Sequence, residues 1–270
     1  MKIIGWAKRR SAGLAGLVIL GVVAGIASLP LAPYDPHARV GAPFQPPSGR
    51  HWLGTNDIGQ DIFSEVVYGA RTSLVTGVLS AALALALGLA VGGTAGYAGG
   101  AFDAFLMRTV DVVLAVPFLP LVIVLAAYVG PSRTNVILVF GTLGWARPAR
   151  VLRSQVLVVR NLPFVEAARA LGASSAHIFR RHLFPAVFPL AIAQFVNLAS
   201  SAILIESSLA FLGLGDPTLK SWGTMLYYAY MRGAFLTGAW WWVVPPGALI
   251  AASVLGFALL GYTLEKDPRS

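Results

Sequence analysis

Two scarcities dominate this 270-residue sequence: it has no cysteine, and charged residues make up only 11% of it. Without thiols, disulfides, cysteine-ligated zinc and thiol catalysis are excluded. A soluble domain carries about 25% charged residues, so a typical water-soluble fold is excluded too. Lysine is rarer still. The four lysines, Lys2, Lys8, Lys220 and Lys266, each follow a residue other than glycine. There is therefore no G-x-x-x-x-G-K-[ST] phosphate loop, and any ATP hydrolysis must come from another chain. HExxH and GxSxG patterns are also absent, which leaves a membrane enzyme unsupported.

What is abundant is apolar. Hydrophobic residues make up 57% of the chain and the mean hydropathy is +0.73. They come in blocks of the length that a helix of about 20 residues needs to cross a hydrocarbon core. The blocks predict an all-α, polytopic membrane protein with about six transmembrane helices. They lie near 12–32, 72–98, 112–130, 134–152, 186–210 and 240–262. The first is longer than the roughly 7–15 apolar residues of a signal peptide and is followed by five more, so a retained helix is expected. The net charge is +9. The basic residues sit between apolar blocks rather than in one patch, a pattern that orients a membrane protein and speaks against nucleic-acid binding. Lys2, Lys8, Arg9, Arg10, Arg108, Arg153, Arg160, Arg169, Arg180, Arg181, Lys266 and Arg269 fall in segments that would share one side. Both termini are therefore expected inside.

The predicted organisation is a cytoplasmic start and first helix (1–32), an outer segment (33–70), a transmembrane core (71–265) and a cytoplasmic tail (266–270). Pro33, Pro36, Pro43, Pro46 and Pro47 disfavour regular helix in the outer segment. Ile58, Ile62 and Val66 recur at helical spacing and predict a short surface helix leading into the second span. Gly88, Gly92, Gly93 and Gly96 line that span. With Pro117, Pro120, Pro185, Pro189, Pro245 and Pro246, they suit either close helix packing or a moving bundle around a path.

The stretch 161–185, NLPFVEAARALGASSAHIFRRHLFP, is too charged to span. It reads as two short helices around a turn. Pro163 suits a first helical turn, and Phe164, Val165, Ala168 and Leu171 form an apolar stripe. Gly172 fits a left-handed position after the first helix, and Ser174 or Ser175 caps the second. Ile178 and Phe179 give the second helix its apolar face. By these properties alone, an amphipathic loop at the membrane surface is an equal alternative.

The order of residues goes further. Glu166-Ala167-Ala168, then Gly172, then His182-Leu183-Phe184-Pro185, resembles the EAA loop of ABC importer permeases. Residues 51–61 and 68–74, Glu206 to Gly215 and Ser221-Trp222-Gly223 are similar to segments of the C-type permeases of dipeptide and oligopeptide importers. The likeness covers about 33–265. It departs where Asn56 stands for the usual Asp, Gln60 for Arg and Ala186 for Asn. The first two weaken the case for a charge network in the outer segment.

The resemblance implies the type I importer permease architecture in a bacterial or archaeal inner membrane. It implies that Glu166, Ala167, Ala168, Gly172, Ile178, Phe179, His182 and Pro185 couple the chain to a cytoplasmic ATPase. The implied partners are a homologous second permease subunit, one or two ATPases and an extracytoplasmic solute-binding protein. ATP and Mg would bind those ATPases, with no cofactor on this chain. Dipeptides or oligopeptides are the implied cargo. Nickel or another small solute, or a stand-alone secondary transporter, are the alternatives. An intramembrane acid is costly in lipid, so Glu206 is a candidate path or gate residue, with Asn197 near it; a purely structural carboxylate is the competing reading. Asp111 and Arg108 are placed to pair. His37 and His51 fall short of the roughly four ligands of a metal site.

Overall fold

The computed structural model describes residues 2–264, with side chains from Ser11 onward. The side chains of Lys2, Lys8, Arg9 and Arg10 and all of the tail 265–270 lie outside the described residues. The chain is helical: α1 (Lys2–Ser28), α2 (Ile62–Ala98), α3 (Gly100–Ala115), α4 (Phe118–Val129), α5 (Arg133–Gly144), α6 (Ala146–Arg160), α7 (Pro163–Ala170), α8 (Ser175–Ile178), a π-helical turn (Phe179–Leu183), α9 (Phe184–Phe211), α10 (Trp222–Met231) and α11 (Trp240–Leu264). The described residues form no strand beyond the isolated bridges Arg39–Gln60 and Thr55–Asp61.

Helix α2 is the axis of the bundle. Its 37 residues reach about 55 Å, well beyond a hydrocarbon core of about 30 Å. Helices α5, α6 and α9 pack on it, while α1 packs on α11 and α11 on α9. Lipid gives helices no hydrophobic reason to associate, so close approach at small residues must do it. Gly88, Gly92 and Gly96 recur every fourth residue and face α6. A Cβ on Gly92 would stand 2.3 Å from the Ala149 carbonyl oxygen, and one on Gly96 2.9 Å from that of Arg153. Gly77 meets α9 the same way, 2.4 Å from Ile203 Cγ1. These glycines serve packing. Gly93 lies on another face, with ordinary contact room to Phe179.

Several boundaries differ from the sequence expectation. There is no separate surface helix before the second span. Asp61 caps α2 by accepting from the Ser64 amide at 2.9 Å, so the helix starts at Ile62 and runs through. The third span is broken. Val116 takes the extended backbone that a following proline imposes, and α3 and α4 diverge by 83°. The fourth falls on α5 and half of α6, split at Trp145, and neither half is long enough to cross. Among the described residues four helical runs are long and apolar enough to span, or five with the bent α3–α4 pair.

Basic residues on α6 fasten one end of the bundle. Arg153 holds Asp103 of α3 through two hydrogen bonds of 2.7 and 2.5 Å. Arg160 donates to the Tyr97 and Gly96 carbonyls at the end of α2, at 2.8 and 3.2 Å. Asp111 pairs with Arg150 across helices rather than with Arg108, its neighbour on α3.

The packing predicts a contrast. Gly92→Ala forces a methyl against backbone and is expected to destabilise the detergent-solubilised chain by about 1–3 kcal/mol. Gly25→Ala, which meets nothing within 4 Å, is expected to be neutral or slightly stabilising, by up to about 1 kcal/mol. Thermal unfolding of both variants checks this.

Candidate functional site

The loop end carries residues 161–183. Pro163 opens α7, and Gly172 adopts φ +83° just after it. The Gly172 amide bonds Arg169 O at 3.0 Å and the Ala173 amide bonds Ala168 O at 3.1 Å. That is a Schellman ending, which needs a residue without a Cβ penalty. Of the two candidate caps for α8, Ser174 is the one used, accepting from the His177 amide. The π-helical turn follows because Pro185 has no N–H for the Arg181 carbonyl and its ring crowds it. The Phe184 amide reaches back to Phe179 O instead. The turn therefore runs into α9 without a break.

The loop is anchored from below. Val165, Ile178 and Leu183 are fully buried on a bed of Leu152, Val156, Val159, Val187 and Ala191. The predicted stripe is only partly inward: Phe164 is 48% exposed and Leu171 89%. Glu166, Ala167, Gly172 and Pro185 are exposed, and Ala168, Phe179 and His182 are half-buried. Ile178 faces the interior, so it positions the loop rather than forming its surface.

The opposite end is polar. Here the sequence expectation of a weak charge network is corrected. Lys220 Nζ lies 2.5 Å from Glu65 Oε1 and 2.8 Å from Gln60 Oε1. Asn56 Nδ2 donates to the same two oxygens, at 3.1 and 2.9 Å. Glu65 is 1% exposed. The two neutral amides thus bind an ion pair supplied from elsewhere in the chain. Beside them, His51 Nδ1 sits 2.9 Å from Asp61 Oδ1, and Arg232 lies 3.5 Å from Asp57. His37 accepts from Gln60 through its carbonyl, while its ring packs edge-on against Tyr68. No group of three or more His, Cys, Asp or Glu among the described residues is placed to hold a metal ion. Asp216 ties the same end to α5. Burial acts against its charge, but hydrogen bonds from Thr218 and from the Arg133 amide, with the Arg133 charge, outweigh that and lower its pKa.

Glu206 is buried near the polar end of α9 and accepts from Ser207 Oγ at 3.3 Å. Ser73 of α2 and Ser221 also bear on its carboxyl. Ser208 does not; its hydroxyl donates to Leu204 O. Glu206 borders a small pocket with Thr72, Thr76 and Arg133. Asn197 is not part of it. Nine positions at about 100° each put it on the opposite face of α9, against Gly261 of α11.

The buried pair makes a sharp prediction. Lys220→Ala leaves Glu65 without its cation and is expected to cost about 3–5 kcal/mol. Adding Glu65→Leu is expected to recover most of that loss in thermal unfolding, because the uncompensated charge is then gone.

Residues 66–266 match the family described as binding-protein-dependent transport system inner membrane component. Over 97% of its length the chain is 35% identical to the dipeptide transport system permease protein DppC of Bacillus subtilis (strain 168), covering 83% of that protein. It is 37% identical, over 95% of its length, to the probable D,D-dipeptide transport system permease protein DdpC of Escherichia coli (strain K12), covering 86% of it. It is 39% identical, over 87% of its length, to a probable peptide ABC transporter permease protein of Sinorhizobium fredii, covering 79% of it. These are membrane permease components of ABC transporters, not enzymes. The chain belongs to the family of inner membrane components of binding-protein-dependent transport systems.

Proposed function

We propose that this permease imports dipeptides and short oligopeptides, with 161–185 as the surface on which a cytoplasmic ATPase docks. The observation that carries the coupling reading is the loop itself. Its base is fixed by Val165, Ile178 and Leu183, yet Leu171 and Phe164 stand exposed around Glu166 and Gly172. Exposed apolar side chains on a rigidly seated turn suit a protein groove. The printed names of the relatives support peptides as cargo.

In this reading 1–32, 161–185 and 266–270 face the cytoplasm or enter the membrane from it, 33–70 lies outside, and 71–265 forms the path. A homologous permease completes a heterodimer, an outer binding protein delivers the peptide, and one or two partner ATPases hold ATP and Mg. Closure of the ATPases pulls on α7 and α8. The π-helical turn passes that displacement into α9, which carries it about 33 Å from Phe184 to Glu206. Glu206 then sits where the path opens and closes.

The test is co-purification in mild detergent. Glu166→Lys with Leu171→Asp alters exposed side chains only, so folding is expected to persist. The wild type is expected to bring down an ATPase, and the double variant to lose at least about 90% of it, since a misplaced charge in a docking groove costs more than about 1.4 kcal/mol. Equal recovery from both would remove 161–185 as the dock.

A further inference from the structure

At the polar end a cavity of about 300 Å³ lies between the 33–61 segment, the 216–221 loop, α10 and α11. That volume is at the lower end of small-molecule sites. Its walls hold two cations and two anions, Lys220 with Glu65 and Arg232 with Asp57, and the rings of Tyr228 and Trp242. The two ion pairs differ in kind. Glu65 and Lys220 are deep, close and shared with Asn56 and Gln60. Asp57 and Arg232 meet at 3.5 Å, long for a charge-assisted hydrogen bond, and the Arg232 side chain is 60% exposed. The deep pair is structural; the rim pair is loose enough to be exchanged.

Trp242 is 1% exposed and gives the cavity an aromatic wall. The walls carry no net charge, so a lone cation or a lone anion meets repulsion as well as attraction. A molecule carrying both charges at the two ends of a short backbone meets neither penalty.

We propose that this cavity binds a free zwitterionic short peptide as it enters the permease. The peptide carboxylate takes the open fork of Arg232 and its ammonium takes Asp57. One loose ion pair is exchanged for two, so charge balances throughout. The inference rests on the peptide reading above and adds a place and a chemistry to it: recognition of free termini, with side chains left to the aromatic and apolar walls.

The absence of native cysteine in this chain allows a direct test. Ile58 lines the cavity and is 40% exposed. In the complete reconstituted transporter, Ile58→Cys is labelled with a membrane-impermeant maleimide and the label is read on this chain by mass. Saturating dialanine is expected to slow labelling about fivefold, and N-acetyl-dialanine amide, which has no free charges, is expected not to. Arg232→Gln in the same background is expected to abolish protection, while Arg232→Lys retains part of it. No protection by dialanine, equal protection by the blocked peptide, or full protection in Arg232→Gln overturns the site. ATP-driven dialanine uptake by the same preparation separates the two readings. Uptake without protection overturns the cavity alone, protection without uptake overturns dipeptide transport alone, and neither overturns both.

Discussion

Everything in this molecule depends on how closely α6 and α9 approach the glycine face of α2. In lipid the backbone must satisfy itself within helices, and apolar side chains gain little by leaving the bilayer for each other. Gly88, Gly92 and Gly96 let α6 seat against α2 with carbonyl oxygens where side chains would otherwise stand. Helix α6 then delivers Arg153 to Asp103 and Arg160 to the end of α2. It also supplies Leu152, Val156 and Val159, the bed for Val165, Ile178 and Leu183. The exposed turn at 161–183 is thus held in place by contacts that begin with an absent Cβ on a different helix.

Local chemistry made much of this legible. Hydropathy located α9 and α11 to within a few residues, because long apolar runs have one stable state in a membrane. Pro163 and Gly172 could be assigned to a first turn and a left-handed ending, and the cap narrowed to Ser174 or Ser175, since each acts on backbone groups no more than a few residues away. Where partners are distant in sequence, the reading stopped. Glu65 and Lys220 are 155 positions apart, and nothing near either one announces the other. A glutamate in the first turns of a long helix was the available signal. Asp111 likewise took Arg150 from another helix in place of the nearby Arg108. Periodicity identified Phe164 and Leu171 as apolar at the right spacing, but spacing does not say whether the bundle or a partner covers them.

The fate of the fourth span has a related cause. Helix α6 carries Arg147, Arg150, Arg153 and Arg160 among its apolar residues. A window over 134–152 averages the first two of those charges, Arg147 and Arg150, with the apolar run of α5 and yields one span. In three dimensions Trp145 divides the run, and three of the four arginines are spent on Asp111, Asp103 and the end of α2. Arg153 and Arg160, counted toward the expected orientation, are thus also residues that fasten helices together.

The two ends are joined by a stiff element. Helix α9 leaves the loop through a π-helical turn and passes Pro189 without a break. Near its middle Ile203 presses on Gly77 of α2, at a spacing that admits no added atom. A helix so seated does not spin freely about its axis, because rotation would drive Ile203 into α2 backbone. Displacement at the loop therefore moves α9 as a body, by sliding or tilting against α2. The group that feels such a shift most is Glu206, whose carboxyl depends on Ser207 of its own helix and on Ser73 and Ser221 from two other segments. Its own serine travels with it; the other two do not. A small shift of α9 would change the surroundings of the buried Glu206 carboxyl at the polar end, and that is the physical link between loop and Glu206 that the proposed function requires.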